Sequence, residues 1–355
     1  MTPVMLSSHK PNSTVGLDIE AGSIAAVEVS VNGSTRIAQT AIAPLSAGIV
    51  KEGEVMDAAE LGVSLKALFA EHKLSKSVRL GVANQRIAVR TLQLPLIEDP
   101  DELDTAVRFQ AQEHIPMPLT QAVIDYQVVG RQREDEGGHM EVVVVAARRD
   151  MLEAPLQALR AAGLRPVGLD LAAFGMIRAL GAEQAGVDPA GTSAVAYCNL
   201  GDVTNLAVAR GSACLFTRIS PFGLEAIASR LAERRGLSLD HARAWLGHVG
   251  LVKPTAEIEG DSATIELARE ALEDGVTKLT NELRLSLEFY AAQEGAVLVE
   301  RAIVCGAGSL IEGFADRLGE GLGLRFDAAK PPALGHLDEA DAARLTLSYG
   351  LALDD

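Results

Sequence analysis

The sequence predicts an α/β protein of two lobes, each built on a duplicated β-hairpin and helix unit, with a small α+β subdomain inserted in the first. Three observations predict it. Residues 15–43 alternate apolar and polar side chains around Asn32-Gly33, a hairpin signal, and open with the strand-turn-strand VGLDIEAGSIAAVEV. From residue 191 the pattern restarts in AVAYCNLGDVTNLAVARGSACLFTRI, three apolar runs with turns at Gly201 and Gly211. A length of 355 residues exceeds what one core usually serves. Segments 18–23 and 199–204 each follow an apolar strand, end in a hydroxyl residue and run into a second apolar strand. Any two antiparallel hairpins share such features, so the alignment alone leaves duplication open.

The remaining elements follow in order. Residues 57–73 have helical apolar spacing, with Asp57 placed as an N-cap. VRLGVAN, 78–84, reads as a buried strand. Residues 86–167 form an α+β block: strand IAVRTLQLP, helix DPDELDTAVRFQAQEH, strands AVIDYQVVGR and MEVVVVAAR, and helix MLEAPLQALRAAGL. The charged, Gly-rich 133–139 between the last two strands is a hairpin loop. RPVGLDLAAFGMIRAL is strand then helix; 222–295 is mostly helical and holds the only tryptophan, Trp245. RAIVCGAGSLIEGFADRLGEGLGL is strand, Gly-x-Gly-Ser turn and helix, and ARLTLSYGLAL is a last helix. The division expected is a flexible tail 1–14, a first lobe of 15–85 and 168–190, the insert 86–167, a second lobe of 191–222 and 299–355, and a helical subdomain 223–298. The two hairpins should face each other across a cleft, in separate sheets.

Composition excludes some functions. A formal net charge of −16 opposes binding to a nucleic-acid backbone or an anionic membrane surface. No run approaches the ~18 apolar residues of a membrane span, and MTPVMLSSHKPNST lacks the apolar core of a signal peptide. Cys198, Cys214 and Cys305 are odd in number, match no metal spacing and sit in apolar runs, so they are expected as reduced core residues of a cytoplasmic protein.

Three strand-turn units carry chemistry: 15–29, 196–209 and 302–312. Turns offer backbone N–H groups and small hydroxyls to phosphate oxygens. An Asp at a strand end, here Asp18, suits Mg²⁺ held through water. Gly306-Ala307-Gly308-Ser309 lets backbone approach a base or ribose. This order of turns resembles the actin-like ATPase superfamily, with its two phosphate loops and adenosine loop. Within it the chain is similar to the PilM family of type IV pilus assembly, a relative of FtsA, over nearly its whole length. AVRFQAQEHIPMPLTQAVIDYQVV (106–129), NELRLSLEFY (281–290), CGAGSLIEGFADRLGEGLGL and the terminal YGLAL carry the match. Met117 stands between Pro116 and Pro118, where the family has an aromatic residue.

The resemblance implies an actin-like fold with a PilM/FtsA-type insert, and ATP with Mg²⁺ as the cofactor of the site. It implies nucleotide binding by Asp18, Gly22, Ser23, Asn199, Gly201, Thr204, Asn205, Arg284, Gly306, Ala307, Gly308 and Ser309. It further implies a groove for the N-terminal cytoplasmic peptide of a PilN-type inner-membrane protein, with Asn84, Ile115, Pro116, Met117 and Pro118 at it. That peptide, and other pilus assembly proteins, would hold the chain at the inner face of the membrane without direct insertion. Self-association is left open. Pro116 and Pro118 also end the preceding helix for purely local reasons. Arg284 reads equally as a base-stacking side chain or a surface residue.

The chain departs from the family at the loops. Glu20 takes a Gly position in the first, Ala21 and Gly22 replace hydroxyl residues, and Ala25 stands where Lys often does. Asn199 replaces the Asp of the second. A carboxylate among phosphates repels them. Asp170 is the one polar candidate for orienting an attacking water, or is a helix N-cap. The reading is therefore a scaffold of type IV pilus or related type II secretion assembly with a weak, poorly hydrolytic ATP site. The rivals are a working ATPase or kinase of the same fold, and an FtsA-like division protein. The latter class ends in a linker and amphipathic membrane helix, whereas this chain stops at LALDD.

Overall fold

Two five-stranded sheets frame the protein in the computed structural model, which describes residues 13–31, 35–134, 137–184, 193–293 and 295–353. In the first sheet, β1 (Ser13–Ile19), β2 (Ser23–Val31) and β3 (Thr35–Pro44) form an antiparallel meander. β6 (Ser77–Val82) runs parallel to β1, and β10 (Arg165–Leu171) parallel to β6. In the second, β11 (Ala194–Leu200), β12 (Thr204–Arg210) and β13 (Ala213–Ser220) repeat the meander. β14 (Val299–Cys305) is parallel to β11, and β15 (Arg325–Ala328) to β14. Strand order and direction are the same in both sheets. The duplication that alignment left open is thus a property of the topology, and the two hairpins lie in separate sheets as expected.

Local chemistry starts the helices where the sequence suggests. Asp57 caps α1 (Ala58–Glu71), accepting from the N–H groups of Ala59 and Glu60. Asp99 does the same for α2 (Pro100–His114), with Pro100 at its first position. α2 stops at Ile115 because Pro116 biases that residue towards extended backbone. Of the expected tail, residues 13 and 14 already belong to β1; the rest of it, and the Asn32-Gly33 turn, lie outside the described residues.

The insert is narrower than 86–167. β7 (Ile87–Pro95), β8 (Ala122–Glu134) and β9 (Gly137–Arg148) form a sheet in the order β7-β9-β8. Leu103, Val107 and Ala111 of α2 pack on it with Met140, Val142 and Val144. α3 (Arg149–Ala161) belongs elsewhere: its Ala158 and Leu159 share a core with Leu61 and Leu65 of α1.

Two helices exchange between the halves. α4 (Ala172–Gln184), expected in the first lobe, lays Met176, Ile177 and Leu180 on the second sheet beside Tyr197, Ala207 and Ile303. α9 (Glu339–Ala352), expected in the second, covers the first sheet with Leu345 and Ala352 against Ala25 and Val27. The backbones come unusually close here. A Cβ on Gly16 would lie 1.9 Å from the Ser348 carbonyl oxygen, and one on Gly350 would lie 1.7 Å from that of Gly175. An apolar helix face reveals that a helix is buried, not which sheet it covers.

The helices α5 (Leu224–Arg235), α6 (Leu239–Val249) and α7 (Ser262–Ala291) fall within 223–298, and α8 (Phe314–Leu322), from the stretch expected in the second lobe, joins their layer. Leu231, Leu246, Leu272 and Phe314 meet Leu206, Ala302 and Val304 of the second sheet in one core. Among the described residues no helix is long and apolar enough to cross a membrane. The three cysteines are buried and unpaired.

Candidate functional site

The two hairpin turns face each other across the cleft between the sheets, and each is filled by a carboxylate from the other. The Asp202 carboxylate accepts a hydrogen bond from the Gly22 N–H at 3.0 Å and another from the Ala21 N–H. In return, the Glu20 carboxylate accepts from the Asp202 N–H at 3.4 Å and from the Asn199 side chain. These N–H groups are the ones a phosphate would use. Gly201 gives Glu20 its room, since a Cβ there would lie 2.1 Å from Glu20 Oε1. Gly22 lets Arg243 approach, since a Cβ would lie 2.6 Å from its Cζ. Arg243 is held in turn by Glu225 and Asp240.

The departures at 20 and 199 therefore belong together. An Asp at 199 would set a carboxylate beside Glu20, whereas Asn199 presents a donor to it. Its Oδ1 meanwhile lies 3.7 Å from the Cys305 thiol, which donates to it. Asp202, which sequence reading passed over, completes the arrangement. Its signal was present in the paired hairpins: it occupies the loop position that mirrors Ala21.

Three carboxyl groups this close cannot all ionise cheaply. Burial pushes Asp18 up to about 7, with the Asp202 charge adding to the shift. Burial, then the Asp202 and Asp18 charges, hold Glu20 well above the usual carboxylate range. Burial also raises Asp202, against the pull of Arg243. Between the ordinary carboxylate values near 4 and about 7, the folded chain holds protons that the unfolded chain has lost. Stability is therefore fully present below that window and falls as pH rises through it. Denaturant titrations at pH 5 and pH 8 should differ by roughly 2–4 kcal/mol from this cluster, at 1.36 kcal/mol per pKa unit. Glu20→Gln should flatten the slope; a parent that gains stability across the window would contradict this account.

The other expected nucleotide residues are scattered. Ser23 opens β2, its carbonyl accepting from the Glu20 N–H at 2.9 Å. Thr204 and Asn205 are both 1% exposed at the start of β12. Gly306 packs on Asn199 and Gly308 on Leu200, while the Ser309 hydroxyl bonds the Gly306 carbonyl at 2.7 Å. Ala307 begins the short helical turn between them. Close backbone packing thus accounts for both glycines. Arg284 is committed to the Gly321 carbonyl at 2.6 Å and to Asn281, securing the end of α8.

A cavity of about 330 Å³ opens beside the loops, lined by Asp18, Glu20, Glu52, Asp202, Glu225 and Glu233, with Lys51 the one cation on its wall among the described residues. Neither Arg284 nor residues 306–309 line it. Nor does Asp170: it lines a different cavity, pairs with Arg178, and accepts from the Leu171 N–H at 2.8 Å. Arg178 in turn bonds the Gly350 carbonyl at 3.0 Å, so Asp170, on β10, holds the arginine that ties α4 to α9. In this arrangement a Mg²⁺-triphosphate does not fit. The loop donors are taken by carboxylates and the wall is acidic. Among the described residues no cluster of three or more Cys, His, Asp or Glu is arranged to hold a metal.

A larger groove, about 600 Å³, lies between the inserted sheet, β13 and α7. Its walls include Ile87 and Val89 of β7, Phe216 of β13, and Leu283, Leu285 and Phe289 of α7. Leu285 and Phe289 stay 67% and 60% exposed, one helical turn apart. Asn84 and Pro116 line this groove as expected. Ile115 and Met117 do not; they pack into the core of the insert, and Pro118 precedes a single helical turn. Asn84 is fully engaged, donating to Glu54 and accepting from the Arg86 N–H. The α7 and β13 walls come from segments about 100–200 residues away in the chain, so no local pattern joins them to the insert.

Duplicated meanders, exchanged helices and a cleft between them define an actin-like fold. Solved structures of that class match over most of the chain. MreB 5 of Spiroplasma citri bound to AMPPNP matches with a TM-score of 0.54 at 11% identity, covering 97% of this chain and 95% of its own. The ethanolamine utilization protein EutJ from Carboxydothermus hydrogenoformans matches with 0.54 at 16%, covering 98% and 91%. A chain of a PilM-PilN type IV pilus biogenesis complex matches far better, with a TM-score of 0.78 at 27% identity over 96% of this chain and 97% of that one. The family model for the type IV pilus assembly protein PilM covers residues 16–353. The chain belongs to the PilM family.

Proposed function

We propose that this protein is a cytoplasmic scaffold of type IV pilus assembly. It binds the N-terminal cytoplasmic segment of a PilN-type inner-membrane partner, and that partner holds it at the inner face of the membrane. The observation that carries the reading is the groove against the insert, where Leu285 and Phe289 present exposed apolar surface. Apolar anchors of this kind hold a short peptide's side chains. The match to a PilM-PilN complex supports the choice of partner.

The same reading makes the ATP site weak in binding and negligible in turnover. The carboxylates of Glu20 and Asp202 must leave before phosphate can enter.

The test is a titration of a synthetic PilN-type N-terminal peptide into the full chain. Leu285→Asp and Phe289→Asp change exposed positions, so the fold should survive. Each should weaken the peptide by at least about tenfold, about 1.4 kcal/mol. Affinity should vary little with salt, because an apolar groove makes few ionic contacts. Unchanged affinity in both variants would move the site elsewhere.

A further inference from the structure

We infer that Thr204 and Asn205 read the main chain of an extended peptide in the groove, so that recognition there rests on backbone hydrogen bonds as well as apolar side chains. The inference rests on the reading that the groove is the partner site. Both residues line it, and both are 1% exposed. Among the described residues, Thr204 Oγ1 and both polar atoms of the Asn205 amide have no hydrogen-bond partner. Buried polar groups are nearly always paired, because each unpaired one costs about 1–3 kcal/mol. Three such atoms on neighbouring residues of one groove wall are what a site looks like without its ligand.

The chemistry of that ligand can be narrowed. A primary amide presents a donor and an acceptor side by side, which matches the N–H and C=O of a peptide unit. Asn205 also borders the smaller, acidic cavity, but a phosphate there offers acceptors alone and would leave Oδ1 unpaired. The groove, moreover, is flanked by two sheet edges. β7 pairs only with β9, and β13 only with β12, among the described residues. Strand edges with free main-chain groups take up an extended segment by adding it as a strand. The occupant is therefore an extended, strand-like peptide with apolar side chains towards Leu285 and Phe289 and a main-chain amide at Asn205.

Asn205→Leu and Thr204→Val keep the branching and heavy-atom count of the side chain and remove the unpaired polar atoms. Both variants should be as stable as the parent or more so, while the PilN-type peptide binds Asn205→Leu at least about tenfold more weakly. A series of peptides, each N-methylated at one backbone nitrogen, gives the second readout. One position should lose binding to the parent yet cost little further against Asn205→Leu. If the peptide binds the parent but neither variant changes its affinity, or no N-methyl position matters to the parent, the backbone-reading role falls and the groove stands. A change in MgATP affinity alone would return Asn205 to the cleft and overturn the role. If the parent does not bind the peptide at all, the groove reading and this role fall together.

Discussion

The Asn199→Asp variant is expected to be less stable than the parent by about 3 kcal/mol at pH 8, the scale of an uncompensated buried charge. Asn199 is 4% exposed and donates to Glu20. An Asp there would add a fourth carboxyl group to Asp18, Glu20 and Asp202. Position 199 carries Asp in the family's usual pattern, so the substitution looks restorative in sequence and is costly in place. The cost should shrink at pH 5, where Asp18, pushed up to about 7, is protonated and adds no charge. It should also shrink in a Glu20→Gly background, which removes the carboxylate that Asn199 serves. Residues in contact are not additive, and here the double variant should be more stable than Asn199→Asp alone. It should also bind MgATP more tightly than either single variant. Denaturant curves for the four proteins at both pH values measure the coupling. Additive effects would mean that positions 20 and 199 changed independently.

Gly16→Val should cost more than about 3 kcal/mol, beyond the common range for overpacking, because the obstacle is backbone. The new Cβ would fall 1.9 Å from the Ser348 carbonyl oxygen and 2.5 Å from the Ala352 nitrogen. Neither atom can rotate away. α9 would have to lift from β1, exposing Val27 and Leu345. Because α9 also packs on α4 through Gly350 and Gly175, the loss should reach the second lobe. A single cooperative transition, lowered for both lobes, is the expected outcome in thermal unfolding. An unchanged midpoint would mean that α9 does not pack on β1 as described.

The sequence made some of this legible and hid the rest for physical reasons. Strand meanders are local, so the hairpin at 15–43 and its echo at 191–220 could be read from alternation and turn residues. The caps at Asp57 and Asp99 are local too. The exchange of α4 and α9 is not, since an amphipathic face does not name its partner. Glu20 and Asn199 each registered as a defect in its own loop. Their pairing depends on two turns 179 residues apart being folded face to face. The adenosine-loop glycines matched a motif, yet their packing on Asn199 and Leu200 explains them without a ligand. Of the residues expected at a partner groove, Asn84, ahead of the insert, and Pro116, within it, line this one. Its apolar wall comes from β13 and from α7, inside the matched stretch NELRLSLEFY, and no local pattern says that either faces the insert.

The most direct test of a peptide-binding scaffold with self-filled phosphate loops is calorimetry on the full chain freed of nucleotide. The PilN-type peptide should bind at one site per chain without nucleotide, and saturating MgATP should leave that affinity within about threefold. Peptide binding that appears only with MgATP, or tight MgATP binding with steady turnover by the unmodified protein, would contradict the account.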